Sequence, residues 1–144
     1  MKFQFRLEKA AHFYEQKEAL KKLELAELVR RVTDLKEKIE AFTNENQLNL
    51  MRTNRHQVIS PAWLQFSSER SGYNLQSIKE LNEQIEDLQL YLEKKKQELA
   101  EVMRIKKALE KVREKKWNEF KLIKNRKEQS ELDEVSQLLG GKPE

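Results

Sequence analysis

Residues 25–42, LAELVRRVTDLKEKIEAF, carry the most regular apolar pattern of the first half of the chain. Its large apolar residues recur in alternating steps of three and four, at Leu25, Leu28, Val32, Leu35, Ile39 and Phe42. This spacing is typical of a coiled-coil seam, in which an apolar stripe of one helix packs against another helix. The pattern reaches back less regularly to Phe3, and we expect its phase to slip between Lys17 and Glu24, where Leu20 and Leu23 carry it. It predicts a first helix over about residues 3–54.

A second seam is longer and predicts a helix over about residues 61–139. Ten of its fourteen positions are apolar, and the other four are basic residues whose aliphatic stems can lie along an apolar surface. The positions are Ile78, Leu81, Ile85, Leu88, Leu92, Lys95, Leu99, Val102, Lys106, Leu109, Arg113, Lys116, Phe120 and Ile123. Glu, Lys and Gln dominate the flanks, and all three are good helix formers.

The reversal between the two helices is marked by Ser60 and Pro61. Serine caps a helix start and proline suits its first position, so the turn falls at about residues 55–60. Phe5 then lies opposite about residue 111, and residues 113–139 form an overhang without an intrachain partner. A turn near Gly72 is the alternative, and it would leave no overhang because Phe5 would meet about residue 139. We favour the first register.

The composition agrees with a fold made only of helices. The 144 residues include 29 Lys and Arg, 25 Asp and Glu, three Gly, two Pro and no Cys. So few turn residues exclude a doubly wound α/β enzyme or a β-sandwich, and a charged share of 38% leaves little material for a thick core. We therefore predict an all-α monomer, with two long helices in an antiparallel coiled-coil hairpin as one domain over 1–139 and a disordered tail at 140–144.

Neither catalysis nor membrane insertion is indicated by the residues. His12 and His56 lie on different segments without matching ligand partners, so we expect no enzyme, no metal site and no cofactor. No run of about 18 apolar residues could span a membrane, and the N-terminus lacks the apolar region of a signal peptide. The expected location is the cytoplasm.

A basic block stands out between Val102 and Lys127. It holds eleven basic and three acidic residues, a local net charge of +8, whereas the whole chain carries +4. Some helical neighbours within it, such as Lys111 and Lys115, repel each other, which a binding partner could offset. We favour binding of an acidic surface over plain solvation. Nucleic acid is not expected, because Trp117 and Phe120 lie in or beside the seam and no groove-reading motif precedes them.

Several segments resemble the FliJ proteins of the bacterial flagellar type III export apparatus. Residues 3–9, FQFRLEK, are similar to the family's N-terminal pattern of Phe, x, Phe, x, Leu, acid, base. Residues 108–116, ALEKVREKK, followed by residues 128–134, EQSELDE, resemble its C-terminal signature. Trp63 and Phe66 stand where the family usually has aromatic residues at the opening of its second helix. Ser71-Gly72 departs from the family, which is usually continuous in helix formers there.

The resemblance implies a stalk-like coiled coil in flagellar biogenesis and motility. Its implied partners are the hexameric export ATPase, the cytoplasmic domain of the export gate and export chaperones, with the membrane reached only through partners at the cytoplasmic face of the basal body. The basic, aromatic end suits the ATPase, with Arg113, Lys116, Trp117, Phe120, Lys124 and Lys127 as expected contacts. The gate contacts expected by resemblance include Leu35, Ile39 and Phe42. The alternatives are the equivalent stalk of a virulence type III secretion system and a homodimeric structural coiled coil.

Overall fold

Two long helices make up the fold. The computed structural model describes residues 2–55 and 58–140, and within these ranges it contains α1, Glu8–Arg55, and α2, Pro61–Leu139, and no strand. The helices pair antiparallel, so the predicted all-α coiled-coil hairpin is confirmed. Gly72 lies inside α2, which rules out the alternative turn there. The expected turn and tail lie partly outside the described residues, at positions 56–57 and 141–144.

The helix starts follow from local hydrogen bonding. Ser60 caps α2, because its Oγ accepts a hydrogen bond from the Trp63 N–H at 3.1 Å. Pro61 is the first helical residue, a position where no backbone donor is needed. α1 begins at Glu8, later than the predicted residue 3, and the Glu8 N–H donates to the Phe5 carbonyl at 3.1 Å.

The chain divides into two compact units, each built from parts of both helices. We call Leu20–Leu99 the turn unit, and Met1–Ala19 with Ala100–Glu144 the terminal unit. In the turn unit the predicted seams meet: Leu28, Val32 and Ile85 are buried, and the other apolar seam residues are at least half-buried. Their removal from water is the main stabilising contribution of this unit.

One detail of the predicted first seam is wrong. Leu20 and Leu23 are 55% and 69% exposed, and the alternation of three and four continues through Lys21 instead. Charged residues can occupy this part of the seam because they pair across it. Lys21 Nζ lies 2.9 Å from Glu98 Oε2, and Lys95 Nζ lies 3.3 Å from Glu24 Oε2. The phase therefore does not slip.

The terminal unit corrects the expected start of the overhang. Phe3 contacts Trp117 and Phe120, with ring centroids 5.0 and 5.5 Å apart, so these residues have an intrachain neighbour. Arg113 also pairs with Glu8, at 3.2 Å. The difference comes from the register of the hairpin. The midpoint in sequence between the opposed residues Phe3 and Trp117 is residue 60, whereas the predicted midpoint at residue 58 would place Phe3 opposite residue 113. The overhang begins after Phe120.

Candidate functional site

An aromatic cluster closes the pairing of the two chain segments in the terminal unit. The rings of Trp117 and Phe120 stack at 5.7 Å, and Phe3 meets the Trp117 ring edge-on. Trp117 remains 41% exposed and Phe120 is half-buried. The cluster therefore fixes the end of the hairpin and still offers an aromatic surface. Both residues were expected in a partner site, and the structure brings them together.

The basic candidates around this cluster differ in their surroundings. Arg113 faces Glu8, and Lys116 Nζ lies 3.6 Å from Glu119 one turn along the helix. Within residues 2–55 and 58–140, Lys124 and Lys127 have no acidic group within ion-pair distance. The six expected contact residues thus share one stretch of α2, but only its later part carries uncompensated positive charge.

Among the described residues, no helix packs on the stretch of α2 beyond the cluster. Every residue from Lys111 to Gly140 except Phe120 is exposed. Apolar side chains on this stretch include Leu132, Val135 and Leu138, which are 64%, 47% and 83% exposed. A surface helix normally buries its apolar residues, so this segment is a candidate surface for association.

The three expected gate residues lie elsewhere, in the turn unit. Leu35, Ile39 and Phe42 are all half-buried and belong to the seam between α1 and α2. The seam uses most of their surface, so a partner would reach only their edges. Phe42 has an exposed aromatic neighbour: Tyr73 is 58% exposed, and its ring centroid lies 6.3 Å from that of Phe42.

Next to the turn, the interior of the hairpin becomes polar. Asn74 is fully buried and Asn49 is 6% exposed. Asn74 Nδ2 donates to Asn46 Oδ1 at 2.8 Å, and Trp63 Nε1 donates to Thr53 Oγ1 at 3.2 Å. This polar interior was not predicted, although the sequence carries a signal for it: Asn46, Asn49 and Thr53 continue the steps of three and four after Phe42.

Apolar side chains lie on the outside of the same segment. Phe66 and Tyr73 are seven residues apart, so they share one flank of α2, and they are 57% and 58% exposed. Leu64 and Leu75 lie on the other flank and are 47% and 62% exposed. The turn end therefore places amides inside and aromatic and aliphatic residues outside, which is the reverse of the usual arrangement.

Ion pairs between the helices bracket the apolar seam. Arg70 donates two hydrogen bonds to the Glu45 carboxylate, at 2.6 and 3.2 Å, and they lower the pKa of Glu45. Where Lys21, Glu24, Lys95 and Glu98 pair across the seam, hydrogen bonds to Glu24 and Glu98 raise the pKa of Lys95. These pairs stabilise ionised side chains in a seam and indicate no proton-transfer chemistry.

No structural feature of the described residues resembles a metal centre, because no group of three or more His, Cys, Asp or Glu side chains there is placed to hold an ion. A search of the same residues finds no helix with enough apolar length to cross a membrane. The candidate sites of the described residues are therefore exposed helix surfaces, one at the turn end and one at the free end of α2.

Comparison with known proteins gives the family. The model of the family described as "Flagellar FliJ protein" matches residues 3–144. The chain belongs to the FliJ family. The resemblance seen in the N- and C-terminal segments is thereby confirmed, and FliJ is a component of the flagellar export apparatus that has no catalytic role. No curated protein and no solved structure matches this FliJ chain significantly.

Proposed function

We propose that this FliJ chain acts as a stalk-like, non-enzymatic coiled coil that binds the hexameric flagellar export ATPase. The observation that carries the proposal is the exposed basic end of α2, where Trp117 offers an exposed ring and Lys124 and Lys127 form no ion pair with any acidic group of the described residues. An acidic, partly apolar surface on the ATPase would compensate this charge. Aromatic and basic residues together are typical of the strongest contacts in protein interfaces.

A charge reversal tests the ATPase contact. The variant Lys116→Glu, Lys124→Glu, Lys127→Glu should keep its helicity, because all three side chains are exposed. We expect it to lose binding in co-purification with the export ATPase, and to lose any effect on assembly of the ATPase ring. The matched control is Lys36→Glu, Lys79→Glu, Lys94→Glu, which changes the net charge equally at exposed positions of the turn unit. Equal binding by the two variants would refute the site.

The same protein is proposed to contact the cytoplasmic domain of the export gate through the turn unit. Leu35, Ile39 and Phe42 are half-buried, so the contact would extend to Phe66 and Tyr73, which supply exposed rings. Arg70 lies between these two, 5.1 Å from the Tyr73 ring, and gives the surface a charged centre. Because Glu45 already compensates the charge of Arg70, an apolar groove would match this surface.

Binding of the purified gate domain to flank variants tests the gate proposal. Phe66→Ser, Tyr73→Ser should weaken binding strongly, whereas Leu64→Ser, Leu75→Ser on the opposite flank should not. Both pairs are exposed, so neither variant should lose the hairpin. If only Leu64→Ser, Leu75→Ser lost binding, the gate contact would lie on the flank opposite to the proposed one.

Export chaperones complete the proposed set of partners. Through the ATPase and the gate, the chain would be held at the cytoplasmic face of the flagellar basal body without inserting into the membrane itself. Co-purification with export chaperones from a flagellated cell tests this part, and a chain that captures none of them would limit the function to the ATPase and the gate.

A further inference from the structure

The free end of α2 carries opposite charges on its two halves. Four basic residues come first: Lys121, Lys124, Arg126 and Lys127. Four acidic residues follow them: Glu128, Glu131, Asp133 and Glu134. No basic residue stands between these acids and Lys142. A helix that is basic in its first half and acidic in its second is complementary to itself when a second copy runs the other way. The remaining question is whether the side chains share one face.

Four of these eight charged residues share one face, because steps of three and four run along α2 from Trp117. The positions are Trp117, Lys121, Lys124, Glu128, Glu131, Val135 and Leu138. Such positions form a single stripe on a helix that pairs with another helix. The stripe is open to a partner: all its members are exposed, and Trp117 at 41% and Val135 at 47% are the most covered of its apolar residues.

We propose that this stripe is a self-association site, at which α2 of a second copy of the chain binds antiparallel with a two-fold axis at residue 126. In this arrangement Trp117 of one copy packs on Val135 of the other, with Leu138 one turn further along. Lys121 lies opposite Glu131, and Lys124 lies opposite Glu128. Two-fold symmetry repeats each contact, which gives a closed, isologous pair of chains.

Other alignments are excluded by charge. A parallel pair in register places Lys121 and Lys124 against the same residues of the second copy, and like charges in contact are destabilising. Sliding one helix of the antiparallel pair by one heptad places Glu128 against Glu131. The axis at residue 126 therefore matches every charged position of the stripe with an opposite charge.

The hairpin itself shows that antiparallel helices of this chain can pair lysine with glutamate across their seam. In the turn unit Lys21 pairs with Glu98, and Lys95 pairs with Glu24, at 2.9 and 3.3 Å. The free end of α2 repeats this chemistry over about three heptads, which is enough for reversible association and short for an obligate dimer. At low concentration the chain would remain the monomer that the sequence predicts.

Self-association would use residues of the proposed ATPase contact, notably Trp117 and Lys124. The pairing of copies and binding to the ATPase would then exclude each other, so that unengaged chains would shield their basic end. The self-association stands without this consequence, and it is measured on the purified chain alone.

Sedimentation equilibrium over a wide concentration range tests the proposal. The unmodified chain should approach twice its monomer mass at the highest concentrations. The variant Lys121→Glu, Lys124→Glu carries only acids at the four charged positions, and Glu128→Lys, Glu131→Lys carries only bases. Each variant alone should stay monomeric, and an equimolar mixture of the two should form a heterodimer. Monomers at every concentration, or a dimer that survives both reversals, would overturn the proposal.

Crosslinking tests the position of the axis. The chain has no cysteine, so a single substitution gives an unambiguous site. Lys127→Cys lies on the flank of the stripe beside the axis, and a short bismaleimide should join two copies there. Ser130→Cys points away from the stripe and should not crosslink. Crosslinking at residue 130 in preference to 127 would contradict the proposed face.

Discussion

The middle and the turn end of the turn unit contrast in what they bury. Over residues 25–42 of α1 and 78–92 of α2, the seam is apolar and includes the buried Leu28, Val32 and Ile85. Closer to the turn, Asn46, Asn49 and Asn74 occupy the interior, and apolar residues such as Phe66 lie outside. Both segments have the same helical pairing, so the pairing alone does not determine what a segment does.

The contrast separates stability from specificity. Aliphatic residues in a seam supply most of the free energy of pairing, because they leave water without losing hydrogen bonds. A buried asparagine contributes little, but it selects a register in which its amide finds a partner, here Asn46 with Asn74 at 2.8 Å. The middle therefore holds the hairpin together, whereas the turn end fixes its alignment and keeps apolar residues exposed.

The largest expected effect is in the middle of the turn unit. Ile85→Ala should lower the free energy of unfolding by about 2–5 kcal/mol, because it leaves a cavity in the seam. Urea unfolding followed by circular dichroism measures the loss. Leu90→Ala is the control, since Leu90 is 75% exposed on the same helix, and its effect should stay within about 0.5 kcal/mol. Equal losses would mean that the seam is not where the structure places it.

The asparagine pair should give a smaller effect with a distinctive form. Asn74→Leu alone leaves Asn46 Oδ1 without its donor and should cost about 1–3 kcal/mol. Replacing both with leucine should recover that loss, because neither buried amide remains. A double-mutant cycle in urea measures the coupling. Additive losses would show that the two amides do not interact.

Acid should weaken the turn end through Glu45. Its pKa is lowered in the folded chain by the hydrogen bonds from Arg70, so its contribution is present above the pKa of the unfolded chain. That contribution is lost as the pH falls through the lower, folded pKa. In Arg70→Gln this part of the pH dependence of unfolding should disappear, because the variant loses stability near neutral pH and changes little in acid, where the pair is already lost. An unchanged acid profile would show that the pair does not form in solution.

The smallest effect is expected on the outside of the turn end. Leu50→Ser, Leu75→Ser should change the free energy of unfolding by about 0.5 kcal/mol or less, because both leucines are 62% exposed. Thermal unfolding compared with that of Ile85→Ala measures this. A loss as large as that of Ile85→Ala would mean that the turn end buries these leucines in solution.

Much of the fold was predictable because coiled-coil seams are periodic. The steps from Leu25 to Phe42 and from Ile78 onward identified both helices, and Ser60-Pro61 indicated where α2 begins. The error at Leu20 and Leu23 came from following apolar residues alone, since Lys21 and Glu24 take the seam by pairing across it. The polar turn end was missed for the same reason.

The candidate surfaces were less predictable than the fold. The basic, aromatic stretch near Trp117 was visible as a charge pattern. Its contact with Phe3 was not, because a shift of two residues in the midpoint of the hairpin changes which residues lie opposite each other. Whether Leu35, Ile39 and Phe42 could serve a partner also depended on the structure, which places them half-buried in the seam.

Two long helices, their antiparallel pairing and the location of the positive charge could be read from the sequence, because all three follow from local spacing and composition. The register, the residues that fill the seam between the apolar segments and the start of the free end of α2 required the folded structure. These depend on which side chains meet across the two helices, since a lysine or an asparagine is stable inside only when its partner on the other helix is at hydrogen-bonding distance.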